Sequence, residues 1–189
     1  MTISDSVHAL CSRPSGRVLL AFMLAALVLA PACADNGSED ARFTDPFAYC
    51  TEIQDIDAPD ERYVGEAVPD AVVEGIRIAT GASADAPVEF FRDGTSWRCM
   101  DGEVYACTVG ANLPCQAKAD VSEDPSPSMS EFCVANPDAE AVPAAVTGRE
   151  TVFAWACDGS KAVVERQVFQ VDGRGFIAEI WYRLETPGG

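Results

Sequence analysis

The chain has 189 residues, of which 30 are acidic and 13 basic, giving a net charge of −17. Such a balance excludes nucleic-acid binding, which needs a basic footprint, and disfavours docking on anionic lipid head groups. The sole histidine is His8. Loss of a leader containing it would leave no imidazole, excluding Ser-His-Asp and Cys-His nucleophiles and every zinc site that needs histidine.

The N-terminus reads as that leader. Arg13 and Arg17 precede an uncharged apolar run, Val18 to Ala30, followed by small residues. A membrane-spanning helix needs about 20 apolar residues, so this shorter run fits a secretory signal. Ala30-Pro31-Ala32 and Ala32-Cys33-Ala34 both offer small-x-small cleavage sites. "LAPAC" before the polar "ADNGSED" also resembles the lipobox of bacterial lipoproteins, which implies lipid on Cys33 and Cys33 as the new N-terminus. Pro31 and Ala30 depart from that family's preferences. Acyl chains on Cys33 would hold the protein on a membrane at about 0.8 kcal/mol per buried methylene. Removal of residues 1–33 takes one acidic and two basic residues, leaving 156 residues and a charge of −18, enough for one domain with a core.

Residues 34–44 are polar and aperiodic, as a tether would be. "DPFAYCTEI" predicts a short helix, with Asp45 as N-cap and Pro46 at the first helical position. "TEIQDIDAPDERY" gathers Glu52, Asp55, Asp57, Asp60 and Glu61, yet misses the EF-hand spacing, so it reads as a solvated acidic loop. "PDAVVEGIRIATG" places Val72, Val73 and Ile76 at helical spacing before Gly81. Phe90 and Phe91 are expected in the core, leading into a hairpin.

"WRCMDGEVYACTVGANLPC" supplies that hairpin, turning at Asp101-Gly102. "SPSMSEFCVANPD" predicts a third helix, capped by Ser126 ahead of Pro127. "ETVFAWAC", "AVVERQVFQV" and "GFIAEIWYRL" predict three strands separated by Asp-Gly turns. Alternation in the last puts Phe176, Ala178, Ile180, Tyr182 and Leu184 on one face. Trp181 falls on the other, mixed face, where it is the residue that invites a binding surface; a cover of helix or loop is the plainer expectation.

Cys11 leaves with the leader and Cys33 is lost or lipidated, leaving Cys50, Cys99, Cys107, Cys115, Cys133 and Cys157. An even set after export argues for three disulfides; no C-x2-C pair points to zinc or a thioredoxin-like centre. The pairing stays open, save that Cys99 facing Val104 across the hairpin puts Cys107 on the opposite face, against a Cys99–Cys107 bond. "SWRCMDGEVYAC" and "AWACDGSKAVVE" echo each other: Trp97 and Trp155 each precede a cysteine by two residues, before an Asp-Gly and a strand.

The fold class expected is α+β: a small antiparallel sheet, formed by the hairpin and a C-terminal three-strand meander, with three short helices and three disulfides. A single domain over 45–185 follows the signal (1–33) and tether (34–44). No cofactor or metal is expected, and no carboxylate pair or lysine pattern singles out a catalytic site. The stretches "DPFAYC", "WRCMDGEVYACTVGANLPC" and "QVF…GFIAEIWY" resemble exported bacterial proteins of uncharacterised function, which implies one domain and no activity. Size, charge and Cys-containing strands are also similar to periplasmic inhibitors of lysozyme, which implies a cationic protein partner without assigning a residue. The expected function is that of an exported envelope protein, lipid-anchored or secreted, binding or structural; the alternatives are an inhibitor of a cationic enzyme and a carboxylate-based hydrolase.

Overall fold

The first described helix, α1 (Pro46–Ile53), forms where expected: the Asp45 carboxylate accepts from the Phe47 N–H at 2.8 Å, and Tyr49 and Cys50 face inward. This computed structural model describes residues 41–108 and 113–186. The signal segment, Cys33 and residues 34–40 of the expected tether lie outside the described residues. The end of that tether is already part of the fold. Phe43 bridges Tyr63 in parallel and packs on the core beside α1.

Helix α2 (Asp70–Ala79) buries Val72, Val73 and Ile76, the stripe expected from its spacing. Gly75 lets Leu184 approach, since a Cβ there would lie 2.9 Å from a Leu184 methyl. Helix α3 (Val88–Gly94) was not anticipated, and it separates the two phenylalanines expected in the core. Phe91 is buried, whereas Phe90 is half exposed, because neighbours on a helix diverge by about 100°.

Strands β1 (Thr95–Met100) and β2 (Glu103–Thr108) pair in the expected register, with Cys99 opposite Val104. Asp101 and Gly102 have φ of 54° and 76°, the paired left-handed conformations of a two-residue hairpin turn. Further on, α4 (Pro127–Ala135) is capped by the Ser126 hydroxyl on the Met129 N–H, and α5 (Ala144–Thr147) follows. Strands β3 (Phe153–Asp158) and β4 (Lys161–Gln167) form the second hairpin.

The C-terminal meander is a correction. "GFIAEIWYRL" is not a third strand beside β4. Ala178–Ile180 coil into a 3₁₀ turn, after which β5 (Tyr182–Arg183) pairs with β2 instead. The strand alternation predicted there fails accordingly: Phe176, Ile177, Ile180, Trp181 and Leu184 are buried, and Tyr182 is exposed. That spacing follows a helical turn, not a pleat. The α+β class holds, with five α-helices and antiparallel sheets of three and two strands among the described residues.

All six expected cysteines are paired: Cys50–Cys99, Cys107–Cys115 and Cys133–Cys157. The excluded Cys99–Cys107 bond is absent. The tryptophan echo now has a structural meaning. In each unit a helix starting with proline (α1, α4) carries an aromatic residue then cysteine (Tyr49-Cys50, Phe132-Cys133), bonded to the first strand of a hairpin. The tryptophan two residues before the strand cysteine is buried in that unit's own core. Between the two lies a third cluster, built from Cys107–Cys115, Val152, Phe176, Ile177, Ile180 and Trp181.

Candidate functional site

An antiparallel strand leaves the N–H and C=O of every second residue pointing away from its partner. On β1 those residues are Cys99, Trp97 and Thr95. The Cys99 groups are satisfied by Ile56, which accepts at 3.0 Å and donates at 3.2 Å. In a regular antiparallel ladder Ala58 would pair next with Trp97, but no such bond forms. Pro59 follows with no N–H to continue a ladder, and the chain leaves the edge. Among the described residues no hydrogen bond reaches the outward backbone groups of Trp97 or Thr95.

In the second unit the corresponding edge is bonded at both outward residues, through one group of each. There the Cys157 N–H donates to Ala139 at 2.9 Å, and the Val142 N–H, three residues on, donates to Trp155 at 2.7 Å. Counting from Ile56 and Ala139, Pro59 stands where Val142 stands.

A cleft of about 510 Å³ occupies the place left open. It is lined by Asp57, Ala58 and Pro59 on one side and Thr95, Ser96 and Trp97 on the other. Since Ser96 and Trp97 belong to opposite faces of the strand, the cleft lies along the edge in the plane of the sheet. Phe176, Trp181 and Lys118 bound it beyond one face, Ala67 and Val68 beyond the other. Two of its lining side chains are buried with a polar atom that has no partner: the Thr95 hydroxyl and the Trp181 indole N–H. Buried polar groups are ordinarily paired, so two orphans on one recess mark a place for a ligand or solvent.

The floor beneath is a buried cation. Arg98 is 0% exposed and forms an ion pair with Asp172. Its guanidinium carbon lies 4.2 Å from the Trp181 ring centre and 4.3 Å from that of Phe176. Trp181, the residue expected to invite binding, is therefore 7% exposed, held against a guanidinium, and reaches outward only as cleft lining. Burial pushes the Asp172 carboxyl up, but the guanidinium and the N–H groups of Phe176 and Arg174 outweigh it and leave it below the ordinary carboxylate range.

At the mouth, the Lys118 ammonium lies 2.6 Å from Asp57, 2.5 Å from the Arg174 carbonyl and 3.8 Å from the Phe176 ring centre. Arg174 reaches the other Asp57 oxygen at 2.8 Å. Partial burial raises Asp57, and the two cations more than reverse it. Nearby, hydrogen bonds from Arg62 hold Asp60 down to about 2, helped by the Tyr49 hydroxyl at 3.1 Å. The acidic loop is thus partly a set of anchors. Each displaced carboxylate is displaced downward, away from what a general acid needs. Among the described residues no group of three or more His, Cys, Asp or Glu is placed to hold a metal ion.

A second groove of about 430 Å³ borders the other hairpin, with Val142, Phe153, Phe169 and Ile177 in its wall. None of its lining residues has a buried polar side-chain atom left without a partner.

Sequence reasoning placed the cysteines and Trp181 but missed Arg98, Asp172 and Pro59. Arg98 carried a signal: between Trp97 and Cys99 it must face away from their core, so an interior there requires a counter-ion. Pro59 carried none, because the strand it faces across the cleft lies 38 residues away. The fold and cleft define a disulfide-linked α+β protein of two helix–hairpin units, one with an open strand edge. No family model, curated protein or solved structure matches the chain. Three disulfides indicate an oxidising compartment outside the cytoplasm. Among the described residues no helix is long and apolar enough to cross a membrane.

Proposed function

We propose that the chain is an exported envelope protein that acts as a non-enzymatic binding module, held to a membrane by lipid on Cys33 or released by cleavage beside it. The observation that carries the binding reading is the cleft along β1: a formed recess with unpaired buried donors beside the Arg98–Asp172 ion pair. Export is supported by the leader and by six cysteines joined as disulfides with almost no exposed sulfur.

The net charge of −17 favours one further reading, a cationic protein partner such as a lysozyme-like enzyme. Retention on immobilised lysozyme at low salt and release at high salt is its expected behaviour; no retention at low salt contradicts it.

Export is tested by expressing the full chain in a bacterium, separating the cell fractions, and measuring intact mass and free thiols. The expected product is extracytoplasmic, shortened by about 30 residues, with its six cysteines from Cys50 onward unreactive, and heavier by acyl chains if Cys33 is modified. A full-length cytosolic chain with all eight cysteines as reactive thiols would overturn the proposal.

A further inference from the structure

We propose that the cleft beside β1 is a strand-addition site that takes an extended peptide segment of a partner protein, hydrogen-bonded through its backbone to Thr95 and Trp97. The proposal rests on the binding reading above but not on export.

The molecule contains its own precedent. In the second unit, Ala139–Val142 runs along β3, accepting from the Cys157 N–H and donating to the Trp155 carbonyl. In the first, Ile56 makes both bonds to Cys99, and among the described residues no bond reaches the outward groups of Trp97. An extended chain entering beside Pro59 would donate an N–H to the Trp97 carbonyl, then meet the outward groups of Thr95. Backbone pairing of this kind accepts many sequences, with selectivity from pockets for alternate side chains. Here those pockets are Phe176 and Trp181 on one side of the sheet plane, Ala67 and Val68 on the other. The indole N–H of Trp181 and the hydroxyl of Thr95 remain to meet polar atoms of the occupant.

Charge sets the direction. Beyond Thr95 the cleft adjoins a shallow hollow lined by Glu66, Ala67, Val68, Arg92 and Asp93. Glu66, Asp93 and the neighbouring Asp70 oppose one cation, Arg92. At the other end Lys118 and Arg174 oppose Asp57 alone. A segment antiparallel to β1, as Ala139–Val142 is to β3, runs from the second end to the first. Its C-terminal side is therefore basic, matching a cationic partner.

The test is an NMR titration of the purified, oxidised full chain with the blocked peptide Ac-Thr-Val-Thr-Val-Lys-NH2. Two further peptides carry backbone N-methyl groups on one or the other alternate set of residues. The expected result is a saturable shift of the Thr95 and Trp97 amides and of the Trp181 indole N–H. One N-methylated peptide should bind at least about 10-fold more weakly, the other as the parent, because only alternate N–H groups face the strand. Ala58→Trp, which plugs the cleft from an exposed position, should abolish the shifts while leaving the rest of the spectrum in place.

Equal binding by both N-methylated peptides would assign the cleft to side chains or a small molecule and overturn strand addition. Concentration-dependent protection of Thr95 and Trp97 without peptide would assign the edge to a second copy and overturn it too. The absence of any shift at these residues would do the same, whatever the fate of the export measurement.

Discussion

The two helix–hairpin units solve one problem in different ways. Each ties a proline-started helix to the first strand of a hairpin by a disulfide, and each buries a tryptophan two residues before the strand cysteine. The second unit then covers the outer edge of that strand with Ala139–Val142, needing only short α5 before the strand begins. The first starts the same cover at Ile56, abandons it at Pro59, and spends the next 35 residues on α2 and α3. The second edge is thus bonded as far as the Trp155 carbonyl, which Val142 reaches, and the first only at Cys99. The residue between tryptophan and cysteine differs as well: Arg98 in the first unit, Ala156 in the second.

The sharpest way to break the comparison is at that position. Arg98→Ala leaves the Asp172 carboxylate buried without its partner and empties the space against Phe176 and Trp181. Loss of one member of a buried pair costs up to about 5 kcal/mol. Denaturant unfolding should show most of that loss, and adding Asp172→Asn should restore part of it. An Arg98→Ala protein as stable as the parent would mean that the two units do not differ in this way.

Removing the disulfides separates the units next. Cys50–Cys99 closes a span of 49 residues and Cys133–Cys157 one of 24. Chain entropy gives about 4 and about 3.5 kcal/mol respectively, so the double alanine variants should rank in that order in denaturant midpoint. The reverse order would place more native-state support in the first unit's core than its cross-link implies.

Acid should act with a smaller and one-sided effect. Asp57, Asp60 and Asp172, all attached to the first unit or its floor, have folded pKa values below their unfolded ones. Their contribution is complete above the unfolded carboxylate value near 4 and is lost as pH falls toward the folded values, about 2 for Asp60. Tryptophan signals should show the surroundings of Trp97 loosening at higher pH than those of Trp155. Simultaneous loss, or loss only in the second unit, would contradict the assignment.

Local chemistry made much of this fold legible in the sequence. Asp45-Pro46 and Ser126-Pro127 announce helix starts because a cap and a fixed φ act within one turn. Asp101-Gly102 announces a hairpin because both residues tolerate positive φ. The C-terminal segment misled because alternation over "GFIAEIWYRL" is indistinguishable from a strand until the chain's destination is known. It must leave the second hairpin and reach β2, and the 3₁₀ turn at Ala178–Ile180 makes that transfer. The candidate site was less legible still. Its walls come from residues 57–59, 67–68, 95–97, 115–118 and 176–181, and its defining feature is the strand edge left unbonded at Trp97.

Native-state hydrogen exchange on β1 tests that feature most directly. The Cys99 N–H is bonded to Ile56, while the neighbouring outward N–H on Trp97 has no described partner, although both residues are buried. An open edge predicts exchange at Trp97 at least about 100-fold faster than at Cys99 in the free protein. Equal protection at the two amides would show the edge already closed and would remove the basis for a binding cleft.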